Sequence, residues 1–320
     1  MTAPNDSALR QYDDAQFPEE DFRENGIEER DHPRPALRIE APACQTAPVV
    51  FASPHSGRDY PPEFIAASKL NKLNLRRSED AFMDEVFAAA PDWGAPLLCA
   101  EFPRAYVDAN REAFELDPEM FSDPLPNYVN TSLPRVSAGL GTIARVVTDS
   151  EPIYHAPLRF ADAKRRIECY HQPYHRTLKG LVEKTKRRFG GCLLIDCHSM
   201  PSTQEAILLK AGNGTKAFDV VLGDCFSTAC APAVTDIAQQ AFEAMGFIVA
   251  RNKPYAGGFT TRHYGRPGNG VHVLQIEINR ALYMDEKRIT RSAGLPRLKR
   301  RIGRLMRVLV SIDAAILKAA

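Results

Sequence analysis

Imidazole and carboxylate side chains fall at the ends of several apolar runs in this chain. His55 follows one run within Ser53-Pro-His-Ser-Gly57, and His198 follows another within Asp196-Cys-His-Ser-Met200. Glu277 lies at the end of a third, in Val-Leu-Gln-Ile-Glu-Ile, and Asp108, Asn110 and Arg111 close a fourth. Imidazole nitrogen with carboxylate oxygen is a donor set that suits zinc, and a catalytic zinc keeps one position open for water. A histidine at a strand end also serves as a hydrogen-bonded structural residue. Spacing leaves both readings open, because HExxH is absent and the two histidines stand about 140 residues apart. A carboxylate embedded like Glu277 is costly to bury without a partner, which favours a functional role.

Other chemistries find less support. Ser56 and Ser199 each follow a histidine, but no G-x-S-x-G elbow accompanies them. Cys197 is next to His198 on an extended run, so its side chain points to the opposite face. His171 and His175 are four apart in a helical stretch, but Pro173 between them favours a structural role. The glycines at 257, 258 and 265 bracket a loop whose backbone turns tightly or approaches a ligand closely. That loop lacks both GxGxxG and the P-loop Lys-Ser pair, so nucleotide binding is unsupported.

The positioning elements read as an α/β protein. Strands fit 48–53, 96–100, 105–108, 192–195, 247–250 and 270–278. Helices fit 79–90, 156–189 (started afresh or kinked at Pro173), 231–245 and 295–318, the last with a basic outer face. Residues 112–135 read as a long irregular loop. This alternation predicts a mostly parallel central sheet, and such sheets gather their sites at the carboxyl ends of strands.

Composition bounds the rest. A hydrophobic fraction of 44% and a charged fraction of 25% are those of an ordinary folded chain. The net charge of +1 gives no field suited to nucleic acid or a membrane surface. Locally the charge is uneven: residues 1–32 hold ten Asp or Glu against three Arg, so 1–36 is expected to be an acidic, flexible arm before a single domain at 37–320. Seven cysteines without CxxC spacing read as reduced thiols, and no secretory signal or membrane span is evident. The expectation is a cytoplasmic protein, a monomer or small homo-oligomer.

Five segments together carry a resemblance. Ser53-Pro-His-Ser-Gly57, Asp196-Cys-His-Ser-Met200, Gly257-Gly-Phe-Thr-Thr-Arg-His-Tyr-Gly265, Gln275-Ile-Glu-Ile278 and Tyr283-Met-Asp-Glu286 resemble, in order, the N-formylglutamate amidohydrolase family. The family looks like a distant relative of the zinc carboxypeptidases. The resemblance therefore implies a three-layer, phosphorylase/hydrolase-like α/β sandwich with a mixed, mostly parallel sheet. It also implies a Zn²⁺ ion, or another divalent metal in its place, held by His55, Asp80 and His198. Asp80, in Arg77-Ser-Glu-Asp80, matches an aspartate that opens the next helix; Glu79 and Asp84 are its alternatives. Arg58 stands where the carboxypeptidases have glutamate, and Ala81 where the family usually has tryptophan. A carboxylate in a first helical turn is also favoured by the helix dipole.

On that template Glu277 is the general base. Asp196, two residues before His198, is placed either to orient an imidazole or to serve as a turn residue at the strand end. Asn110 and Arg111 grip a substrate carboxylate, and Arg262 holds a second one or the oxyanion. Arg104 and Arg145 compete for those roles, and His263 lines the site. The implied substrate is N-formyl-L-glutamate or a similar N-acyl amino acid. The rivals are a metallocarboxypeptidase or amidase on peptide or cell-wall substrates, and a non-catalytic binding protein on the same fold.

Overall fold

The computed structural model describes residues 35–147, 151–202, 208–211 and 214–318, so nearly all of the expected acidic arm lies outside the described residues. The apolar run after Gly191 builds the middle of a seven-stranded sheet. Among the described strands, β1 (Leu37–Glu40), β2 (Val49–Ser53), β3 (Leu97–Ala100) and β4 (Cys192–Met200) belong to it. β5 (Leu208–Ala211) and β6 (Gly214–Ala217) pair only with each other. The main sheet resumes with β7 (Val220–Gly223), β8 (Val249–Arg251) and β9 (Val271–Asn279), while β10 (Met284–Asp285) and β11 (Thr290–Arg291) form another small pair. The order is β1-β3-β2-β4-β9-β7-β8. β3, β2, β4 and β9 run parallel, β1 is antiparallel to β3, and β7 is antiparallel to β9 but parallel to β8. The sheet is mixed around a parallel centre, as expected.

Both faces of the centre are covered, which is why β4 is buried along its whole length. The short helices α1 (Pro62–Ala67), α2 (Lys72–Arg76), α3 (Met83–Val86) and α4 (Pro134–Ser137) precede the longer ones. α5 (Phe160–Arg166) and α6 (Gln172–Phe189) pack Ala163, Tyr174 and Leu178 with Val50, Leu194 and Val273 on one face. α7 (Pro232–Ala244) and α9 (Leu295–Val310) pack Phe242, Ile302 and Leu305 with Phe51, Ile195 and Ile276 on the other. α8 (Phe259–Tyr264) lies between β8 and β9 in the chain. The outer side of α9 exposes Arg297, Lys299, Arg300 and Arg304, matching its expected basic face. No helix among the described residues is long and apolar enough to cross a membrane. All seven cysteines are free thiols.

Several elements depart from the expectations. β4 runs on to Met200 because β9 pairs with it residue by residue as far as Asn279. Residues 105–108 make no strand: Tyr106 and Val107 both donate their N–H to Pro103 O, at 2.9 and 3.2 Å, and close a turn. The helix expected over 79–90 is reduced to α3. Asp80 N donates instead to His55 O at 3.0 Å, and Phe82 takes a left-handed φ of 67° before α3 begins. The long helix is interrupted by a π turn at Ile167–His171. Pro173 lacks an N–H and crowds the carbonyl four residues back, and the wider turn relieves both problems.

Candidate active site

In a strand, residues two apart share a face. Asp196 and His198 therefore point the same way from β4, and the register sets them beside Gln275 and Glu277 of β9. All four are buried, at the carboxyl-terminal halves of the two central strands. Gln275 Nε2 donates to Glu277 Oε1 at 2.9 Å, while Asp196 Oδ1 lies 3.0 Å from His198 Nε2 without a hydrogen bond, so the Asp196 carboxylate rests there on its charge attraction to that ring. Cys197 faces the opposite core cluster, and burial pushes its thiol well above the usual range.

The turn after β2 and the turn before α3 close over this face. His55 and His198 have ring centroids 4.8 Å apart, and both direct Nδ1 at Asp80 Oδ2, at 3.4 and 2.9 Å. The outer nitrogen of each ring meets another carboxylate: His55 Nε2 is 2.7 Å from Asp108 Oδ1, and His198 Nε2 faces Asp196. Asn110 Nδ2 also approaches His198 Nε2, at 3.1 Å. Asp80 sits in the loop ahead of α3, not in a helical first turn, so ring contacts rather than a helix dipole dominate its surroundings. Burial opposes its ionisation, but His198 and His55 outweigh burial and hold the carboxyl well below its usual range. Burial likewise opposes charging His198, yet Asp196 and Asp80 hold it well above an ordinary histidine. For Asp108, burial is outweighed by Arg104 and His55. For Glu277 burial wins over the attraction of His198 and Arg104, and pushes it up to about 7.

His55, Asp80 and His198 offer ligand atoms that all lie within 4.8 Å of one another, and all three residues are buried. His55 Nδ1 is buried without a hydrogen-bond partner. An orphaned imidazole nitrogen facing a second imidazole and a carboxylate suits a cation, and the Asp108 carboxylate on the far nitrogen of His55 fixes the tautomer that ligation needs. The residues present fit a metal ion.

The remaining nominated residues divide. Arg104 Nη2 donates to Asp108 Oδ2 at 2.8 Å and contributes favourable charge to Glu277. Arg111 Nη2 lies 3.8 Å from the same oxygen, while its Nε donates to Leu140 O. Asn110 Oδ1 accepts from Thr260 N at 2.8 Å, tying α8 to the cluster, and a Cβ on Gly258 would overlap the Asn110 side chain. The structure does not join Arg145 to this group; it pairs with Asp117 at 2.7 Å. Arg262 is exposed on α8 and donates to Gly257 O at 2.8 Å. His263 stacks on Phe259.

The alternatives to Asp80 are engaged elsewhere, Glu79 by Tyr60 and Arg76, and Asp84 by Arg58 and Arg38. His171 and His175 bond Arg111 O and Ala109 O at 2.9 and 2.8 Å, so they brace the Asp108–Arg111 segment. Asp108, Gln275 and Arg280 were not given roles from sequence. Asp108 stood out only as a carboxylate closing an apolar run, and Gln275 and Arg280 only by their nearness to Glu277.

A mixed α/β sheet with a buried His–Asp–His group at the ends of its central parallel strands defines an α/β protein able to hold a metal ion beside an embedded glutamate. The family model described as N-formylglutamate amidohydrolase matches residues 47–284. The chain belongs to the N-formylglutamate amidohydrolase family. It is 26% identical over 242 residues to an N-formylglutamate deformylase of Pseudomonas putida, covering 75% of this chain and 82% of that protein. It is 28% identical over 244 residues to the N-formylglutamate deformylase of Pseudomonas aeruginosa, covering 75% and 83%. The crystal structure of an N-formylglutamate amidohydrolase from Ralstonia eutropha JMP134 superposes with a TM-score of 0.79 at 35% identity, over 85% of this chain and 96% of that one.

Proposed function

We propose that this chain is a zinc-dependent amidohydrolase that cleaves N-formyl-L-glutamate, or a close N-acyl amino acid, to the acid and the free amino acid. The observation that carries the reading is the His55–Asp80–His198 group, its outer ring nitrogens facing carboxylates, with Glu277 in register beside His198. A bound zinc would supply Lewis-acid polarisation of the acyl carbonyl and acidify water at the site.

His55, Asp80 and His198 would hold the ion, with Asp108 and Asp196 orienting the two rings. Glu277 takes a proton from the attacking water as the new C–O bond forms at the acyl carbon. It then returns that proton to the amide nitrogen as the C–N bond breaks, so the acid leaves as formic acid, carrying the oxygen and the second proton of water, and the amino acid leaves as a neutral amine. Gln275, itself held by Gly258 N at 2.7 Å, keeps Glu277 in place. Arg104, beside Asp108, and Arg111 with Asn110 are our candidates for gripping the substrate's carboxylates, because a guanidinium makes paired hydrogen bonds to such groups. Arg262 lies further out on α8 and suits a second carboxylate better than an oxyanion, and Arg145 drops from the set. We read residues 37–320 as one catalytic domain, working on a small molecule in the cytoplasm with a zinc-carboxypeptidase-like ancestry.

The test is formate or acid release from a panel of N-formyl and N-acyl amino acids. N-formyl-L-glutamate should give the highest kcat/KM, with activity lost when the side-chain carboxylate is replaced by an apolar group. No release from any member would refute the reading.

A further inference from the structure

Arg280 follows β9 directly, three residues beyond Glu277, and is buried in spite of its charge. Its guanidinium is engaged on three sides. Nη2 donates to Asp80 Oδ1 at 3.1 Å, Nε to Ser199 Oγ at 3.1 Å, and Nη1 to Arg77 O at 3.2 Å. Ser199 Oγ in turn donates to the same Asp80 oxygen at 3.3 Å. The other oxygen, Oδ2, receives no donor from this side and faces the Nδ1 atoms of His198 and His55.

The two oxygens of Asp80 therefore have separate duties. A carboxylate binds a metal through one oxygen or through both. Oδ1 already accepts two hydrogen bonds, one of them from a cation, so its electron density is committed and a second positive charge beside it is repelled. Arginine suits this duty because its donors leave in fixed in-plane directions and it keeps its charge when buried. The same side chain grips Arg77 O, three residues before Asp80, so it holds both the turn and the carboxylate against the ends of β4 and β9.

We propose that Arg280 is a positioning residue that restricts Asp80 to ligation through one oxygen, keeping the metal at low coordination with a place for water. The inference rests on the reading of His55, Asp80 and His198 as metal ligands. Removing the guanidinium frees Oδ1 to turn toward the ion, which raises its coordination number and loosens the imposed geometry.

Cobalt substitution tests this without reference to turnover. Tetrahedral cobalt(II) absorbs strongly in the visible, and the absorption weakens as the coordination number rises. Chelator-stripped wild-type protein should take up cobalt with the strong spectrum. Arg280→Met should take it up with a weakened spectrum, and should bind zinc roughly 10–100-fold less tightly, as for other losses of a residue supporting a ligand. Ser199→Ala removes the neutral donor to Oδ1 and leaves the buried charges paired. It should shift the spectrum less, in the same direction, and it answers the question if Arg280→Met does not fold. A wild-type protein that binds neither metal would overturn the metal reading itself. A wild-type protein that binds cobalt, with variant spectra and zinc affinities indistinguishable from it, would overturn the role of Arg280 alone.

Discussion

Glu277→Gln should make the protein inactive and, above neutral pH, more stable. The side chain is buried in β9 with its Oε1 accepting from Gln275, and Glu277→Gln keeps a carbonyl oxygen to accept that bond. What it removes is a carboxyl that burial raises from 4.5 to about 7. A group whose folded value is raised contributes its stability in full below the unfolded value and loses it as pH rises through the folded one. In wild type that loss spans pH 4.5 to 7 and reaches about 3 kcal/mol above it. Urea melts of chelator-stripped protein should therefore show equal stabilities for variant and wild type at pH 4.5, and at pH 8 a variant more stable by up to ~3 kcal/mol. Turnover of the metal-loaded variant should fall roughly 10²–10⁴-fold, the usual cost of a lost general base. A stability gain paired with an activity loss marks a residue kept for function at the expense of the fold. Normal turnover would remove Glu277 from the role of base. Equal stability at pH 8 would refute the account of its burial.

Three other perturbations separate the parts of the site. Asp108→Asn weakens the carboxylate on His55 Nε2 and should lower metal affinity roughly 10–100-fold, read by chelator competition. His171 is lowered by burial to about 4, so the unfolded chain gains the proton first and folding stability should fall as pH drops from 6.5 to 4. His171→Gln, which retains a donor for Arg111 O, should flatten that slope by about 1.4 kcal/mol per pH unit in urea melts. Gly258→Ala would drive a methyl into Asn110, and steady-state kinetics should show kcat/KM down by about 10²-fold with metal content unchanged.

Much of the sheet was legible because β2, β4 and β9 are apolar runs bounded by turn residues, and α6, α7 and α9 have helical spacing over three turns or more. β7 was missed: four residues ending in glycine carry too little pattern, and its antiparallel pairing with β9 is non-local. α8 was missed because six residues between glycines resemble a loop. The site divides on the same grounds. His55, His198 and Glu277 sit on or just after strands that the sequence shows, so their convergence follows from the sheet. Asp80 came from the family resemblance alone, and its position depends on a backbone bond to His55 that no local pattern encodes. Asp108 meets His55 across 53 residues of sequence, and Arg280 meets Asp80 across 200, so their roles become visible only once the turns are closed over the sheet.

The central claim is that His55, Asp80 and His198 hold a metal ion that hydrolysis requires. Its most direct test is a titration of chelator-stripped protein with zinc, following formate release and bound metal together. The account predicts no activity without metal, and activity that rises in proportion to bound zinc and saturates at a single ion per chain. Full activity in stripped protein, or saturation unaffected by His198→Ala, would contradict it.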